Sequence, residues 1–124
     1  MIKTILIADD DDDIAYIVRF ILEREGYRVL HIPDGSVVER LTMCNPDLII
    51  MDWNLGGTNG GNLCREIKQN PNTKHIQVVL FSACDDLKHK AISCNADDYL
   101  GKPFDIKSLL GKISKLLSSH QIAS

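Results

Sequence analysis

Five short apolar runs recur along the chain, and each is followed by a stretch with helical spacing. The runs are Ile5–Ala8, Val29–Ile32 (interrupted by His31), Leu48–Met51, Val78–Phe81 and the weaker Tyr99–Leu100. Their length and β-branched content suit strands. The first, third and fourth are apolar at nearly every position, the pattern of strands covered on both faces. Helical spacing occupies about 13–25, 35–44, 60–69, 86–94 and 106–118. It is clearest in the first of these, where Ile14, Ile17, Val18, Ile21 and Leu22 follow the i, i+3, i+4 rule. Gly26 punctuates the end of the first helix, Asn45-Pro46 the second and Asn70-Pro71 the third. Asp105 stands where it can cap the last.

Strands alternating with helices in this way predict one parallel sheet with helices on both faces, an α/β domain. In such a sheet the working site lies at the carboxyl ends of the strands. Those ends are chemically unusual here. The first strand runs into Asp9 and Asp10, the third into Asp52, the fourth into Ser82 and the fifth into Lys102-Pro103. Residues far apart in sequence would therefore meet at one edge.

Composition sharpens this picture only in places. A chain of 124 residues fits a single domain over 1–124, with "SSHQIAS" as a frayed tail, disordered from about 119 to 124. No apolar run approaches the roughly 20 residues of a membrane helix, and no signal-peptide pattern opens the chain. Cys44, Cys64, Cys84 and Cys94 form no C-x-x-C pair. The expectation is four free thiols in a reducing cytoplasm, with neither a zinc nor a redox motif. Charge is uneven: residues 1–62 carry 5 Lys+Arg against 11 Asp+Glu (−6), and residues 63–124 carry 9 against 6 (+3). The chain has no dense basic run interleaved with aromatics, so direct nucleic-acid binding is not expected of it.

Five consecutive aspartates, Asp9–Asp13, sit where the first strand stops. Two carboxylates about 4 Å apart repel by roughly 4 kcal/mol at an effective dielectric of 20. Converging carboxylates must bind protons or a cation. Magnesium suits them, because it takes oxygen ligands and keeps waters and phosphate oxygens for the rest of its shell. Asp9 and Asp10 read as half of such a site. Asp11–Asp13 read as a solvated acidic loop, with Asp12 or Asp13 capping the helix. Asp52 directly follows a buried strand; it can attack a phosphoryl group and form an aspartyl-phosphate, or it can cap the glycine loop that follows. Lys102 can pair with phosphate as a point charge, and Ser82 can donate its hydroxyl to one.

Four stretches in order, "ILIADDD", "DLIIMDWNLGGTNGG", "VVLFSA" and "ADDYLGKPF", resemble the motifs of response-regulator receiver domains, the phosphorylation modules of two-component signalling. The resemblance covers nearly the whole chain, and "MDWN" is close to the stand-alone chemotaxis type. It implies a five-stranded parallel sheet of flavodoxin-like order 2-1-3-4-5 with five helices on two faces. It implies a phosphoacceptor at Asp52, a direct magnesium ligand at Asp10, and a partner acting mainly through water at Asp9. Asp52 itself and the backbone carbonyl of Asn54 complete the metal set. Ser82 matches the switch hydroxyl, Lys102 the phosphate-binding lysine ahead of a cis Pro103, and Tyr99 the switch aromatic. Asn54 and Cys84, two residues beyond the acceptor and the switch hydroxyl, match positions that tune the lifetime of the phosphoryl group. Asp11 matches no primary role.

The function implied is magnesium-dependent transfer of a phosphoryl group to Asp52 from a histidine kinase or phosphotransfer protein. Conformational signalling to a target protein and slow autodephosphorylation follow. Such a module is a switch rather than an enzyme, and a phosphorylation-dependent dimer is compatible with it. Haloacid-dehalogenase-type phosphatases use a similar residue set, but their acidic pair comes last in the chain and a second Asp stands two after the nucleophile. Here the pair comes first and that position is Asn54. Two departures from the receiver pattern stand out. Gly56 occupies a usual proline position, so Gly56-Gly57 predicts a looser loop. Asn95 replaces a glycine, and Asn tolerates the left-handed conformation expected at a helix end. His31, His75, His89 and His120 lie outside the motifs and are expected to be structural or surface residues.

Overall fold

The computed structural model describes residues 2–122. The elements are β1 (Thr4–Ala8), α1 (Asp12–Arg24), β2 (Arg28–Ile32), α2 (Val37–Cys44), β3 (Leu48–Asp52), β4 (Asn54–Leu55), β5 (Thr58–Asn59), α3 (Gly60–Gln69), β6 (Gln77–Ser82), α4 (Leu87–Ser93), β7 (Asp98–Gly101) and α5 (Ile106–Ile122). The main sheet has the order β2-β1-β3-β6-β7, with every neighbouring pair parallel. Counting its five strands alone, this is the expected order 2-1-3-4-5.

Strand alternation splits the core in two. Leu6, Ala8, Ile49, Met51, Val78 and Leu80 face α2, α3 and α4, meeting Leu41, Cys64, Ile67, Leu87 and Ala91. Ile5, Ile7, Leu48, Ile50, Val79 and Phe81 face α1 and α5, meeting Val18, Leu22, Leu109 and Ile113. Burying one such side chain contributes roughly 1.5–3 kcal/mol, which is why the central strands admit no polar residue between their first positions, Thr4 and Gln77, and their carboxyl ends.

Helix ends follow local chemistry. Asp11, not Asp12 or Asp13, caps α1: its carboxylate accepts from the amides of Asp13 and Ile14 at 3.0 and 3.2 Å. The two later aspartates lie in the first turn, where the helix dipole favours them. At the other end Gly26 takes φ +93° while Tyr27 N–H reaches Leu22 and Gly26 N–H reaches Glu23, the paired bonds of a Schellman cap. Asn95 does the same after α4, at φ +62°, with Asn95 and Ala96 amides bonded to Ile92 and Ala91. Asp105 caps α5 through the Ser108 amide at 3.0 Å. Helix α5 continues to Ile122, beyond the 118 expected for the helix. The end of the expected tail, 123–124, lies outside the described residues.

The loop after β3 is not loose. Gly56 and Gly57 take φ +56° and +89°, the two positive values of a type I′ turn, and join β4 and β5 into a two-residue hairpin. The missing Cβ atoms that make glycine entropically costly elsewhere are what this turn needs. Leu55 beside the turn is fully buried and pins the hairpin to the core. Among the described residues, no helix is long and apolar enough to cross a membrane.

Candidate functional site at the carboxyl edge of the sheet

Parallel pairing brings the strand ends together. Ala8 lies beside Met51, Asp52 beside Phe81, and Ser82 beside Gly101. The residues that end or follow these strands, Asp9, Asp52, Ser82 and Lys102, therefore share one edge. Asp9, Asp52 and Ser82 are the buried polar residues of the core, at 0%, 7% and 8% exposure.

Asp9 and Asp52 are bridged by one cation. Lys102 Nζ lies 3.0 Å from Asp9 Oδ2 and 3.3 Å from Asp52 Oδ2, and 4.8 Å above the Phe81 ring. Asp9 Oδ1 also accepts from the Asp11 amide at 2.9 Å, and Asp52 Oδ1 from the Asn54 amide at 3.3 Å. Asp10 is exposed, yet it offers a carboxylate oxygen to the same place: ligand atoms of Asp9, Asp10 and Asp52 all lie within 4.8 Å of one another. The glycine hairpin closes over Asp10, with the Cβ position of Gly56 3.8 Å from the Asp10 Cβ.

This crowding alters the acids and the base differently. Burial, then the charge of Asp9, pushes the Asp52 carboxyl up from 3.8 to about 6, although Lys102 and the Asn54 amide pull it down. Burial alone would depress the Lys102 ammonium. Its hydrogen bond to Asp9 and the charges of Asp9 and Asp52 outweigh that and raise it. One lysine therefore does not satisfy the negative charge gathered here, and the donor set is all oxygen, as a hard divalent cation requires.

The backbone behind Asp52 tolerates little change. The Gly60 amide donates to the Trp53 carbonyl at 2.6 Å, and a Cβ on Gly60 would overlap the Asp52 carbonyl oxygen. A Cβ on Gly61 would run into the Trp53 ring. Trp53 in turn lies under Lys90 of α4, whose Nζ is 5.2 Å from the ring centroid. Trp53, Asn54, Gly57, Thr58 and Asn59 line a cavity of about 280 Å³ against the β4–β5 hairpin.

The remaining sequence candidates fall around this cluster. Asn54 is exposed on β4, one residue beyond Trp53. Ser82 does not turn toward Asp52: its hydroxyl meets the Cys84 thiol at 2.9 Å and accepts from the Cys84 amide at 3.3 Å. Tyr99 stands on β7, one strand further out, half-buried against the α2–α4 side of the core, with Lys112 Nζ 5.2 Å from its ring centroid. The Lys102-Pro103 peptide is cis, as the resemblance implied. His31, expected to be a structural or surface residue, makes a structural contact at the edge of the site. Its Nε2 lies 2.8 Å from the Asp9 carbonyl oxygen, which can only accept, so this nitrogen carries the proton. The available signal was a polar residue interrupting a strand that pairs with the one leading into Asp9.

Residues 5–114 match the family model described as the response regulator receiver domain. The chain belongs to that family. The receiver domain is 32% identical over 120 residues to the "Phosphate regulon transcriptional regulatory protein PhoB" of Rhizobium meliloti, an alignment covering 94% of this chain and 53% of that protein. The chain spans about half the length of the curated relatives it matches. Among solved structures, a putative response regulator from Chloroflexus aurantiacus superposes with a TM-score of 0.89 at 30% identity, covering 95% of this chain and 99% of that one. The signal receiver domain of a signal transduction histidine kinase from Syntrophus aciditrophicus gives 0.87 at 33% identity, covering 94% and 91%. The chain thus carries the receiver module of two-component response regulation.

Proposed function

We propose that this receiver domain, over 1–124, is a magnesium-dependent phosphoacceptor switch whose acceptor is Asp52. The observation that carries the reading is a buried nucleophile beside an ammonium and two further carboxylates, with Lys102 Nζ 3.3 Å from Asp52 Oδ2. An Asp52 oxygen forms the new O–P bond as the donor's bond to phosphorus breaks, and the leaving group departs with the electron pair. Lys102 orients the carboxylate and faces the negative oxygens of the incoming group. The burial of Asp52, at 7% exposure, limits water at the acceptor.

Magnesium fits the donor set, because three carboxylates offering oxygens within 4.8 Å exceed the charge of one lysine. Asp9, Asp10, Asp52 and the Asn54 backbone carbonyl would hold it. When bound, the ion neutralises the carboxylates and the phosphoryl oxygens. Once Asp52 carries the added charge, Ser82 turns toward it and Tyr99 fills the space released, biasing a two-state module. Asn54 and Cys84 flank the approach of the hydrolytic water and set the lifetime.

The phosphoryl source is a histidine kinase or phosphotransfer protein, and the output is a changed face for a target protein. The relative from Rhizobium meliloti is a transcriptional regulatory protein; joined to a DNA-binding domain, the same switch would report as transcription. The test is phosphorylation by acetyl phosphate followed by intact mass. The reading requires uptake of one phosphoryl group with magnesium and none in excess chelator. Undiminished uptake in chelator would remove the metal from the account.

A further inference from the structure

We propose that Cys84 is a positioning residue that latches the Ser82 hydroxyl in its resting orientation. This rests on the phosphoacceptor reading of Asp52 and adds a regulatory contact to it. Ser82 ends β6 and is almost fully buried, so its hydroxyl has few partners to choose from. Both of its contacts come from one residue: the Cys84 thiol at 2.9 Å and the Cys84 amide at 3.3 Å. The half-buried Cys84 side chain packs against the α2–α4 side of the core, which keeps the thiol beside the hydroxyl. Only Ala83 separates the two residues, so the contact closes a tight loop ahead of α4. Turning Ser82 toward an anion on Asp52 must break this contact and release the segment leading into α4. The latch therefore lowers the apparent affinity of the site for a tetrahedral anion, by the share of molecules in which it is closed.

The experiment titrates wild type, Cys84→Ala and Cys84→Ser with beryllofluoride, a phosphoryl mimic, at constant magnesium. Trp53 fluorescence is the readout, since Trp53 adjoins Asp52. Loss of one weak hydrogen bond should tighten binding roughly two- to fivefold in Cys84→Ala. Cys84→Ser, which restores a donor and acceptor at the same position, should return affinity close to wild type. Because binding is an equilibrium, the result is independent of water access and phosphoryl lifetime. Wild-type or weaker affinity in Cys84→Ala overturns the latch, as does a Cys84→Ser variant that behaves like the alanine. Failure of the wild type itself to bind beryllofluoride would instead refute the phosphoacceptor reading.

Discussion

Replacing Asp52 by Asn should make the metal-free protein more stable at pH 8, even though it removes the proposed acceptor. In the folded site burial and Asp9 hold the Asp52 carboxyl at about 6 instead of an ordinary 3.8. A carboxyl raised on folding contributes its full share of stability below the unfolded value. That share is lost as pH climbs through the folded value. At about 1.4 kcal/mol per pH unit, the rise from 3.8 to about 6 amounts to about 3 kcal/mol by pH 8. The amide has nearly the same shape and never ionises, so it escapes this penalty. Losing the attraction to Lys102 does not reverse the sign, since that attraction is already contained in the net rise. We expect Asp52→Asn to exceed wild type by about 1–3 kcal/mol at pH 8 in chelator, with the difference vanishing below pH 4. Urea unfolding, followed by Trp53 fluorescence and far-UV circular dichroism across pH 3.5–8, measures it. Magnesium should narrow the gap by stabilising the wild-type carboxylates selectively. A variant equal to or less stable than wild type at pH 8 would refute the claim that the cluster carries unrelieved negative charge.

Gly60→Ala should cost at least about 2 kcal/mol, because its Cβ overlaps the Asp52 carbonyl and the backbone must shift; chemical denaturation measures the loss, and phosphorylation should fall with it. Cys84→Leu should slow phosphoryl loss after the donor is removed, and Asn54→Met should slow it further, read as decay of the phosphoprotein at constant magnesium. Equal rates in all three proteins would remove water access as the control. Of the four thiols, Cys64 and Cys94 are fully buried whereas Cys44 and Cys84 are partly open. A disulfide reagent should therefore consume two thiols quickly and two only at the rate of opening of the fold; four equal rates would contradict the core packing.

The alternation of strands and helices was legible because buried strands and amphipathic helices impose different periods, and Ile5–Ala8, Leu48–Met51 and Val78–Phe81 are unambiguous. From a parallel sheet the meeting of Asp9, Asp52, Ser82 and Lys102 follows almost without further assumption. The hairpin at Asn54–Asn59 was not legible: two-residue strands have no period, and Gly56-Gly57 reads equally as slack or as a type I′ turn. The choice of Asp11 as the cap was hidden among five identical residues, since only backbone direction distinguishes them. His31 on Asp9 and Cys84 on Ser82 depend on side-chain orientation across or along strand ends, which hydrophobic pattern does not encode. Asn95 was read correctly because the physical requirement, a left-handed residue after α4, is met by so few residue types.

The central claim is that Asp52 receives the phosphoryl group, and locating the modification tests it most directly. Wild-type protein treated with acetyl phosphate and magnesium can be trapped by borohydride reduction of the acyl phosphate, digested and sequenced by mass spectrometry. The account predicts one modified residue, Asp52, and no trapped product in Asp52→Asn. Modification at Asp9, Asp10 or a histidine, or an Asp52→Asn variant that still takes up phosphoryl groups at the wild-type rate, would contradict it.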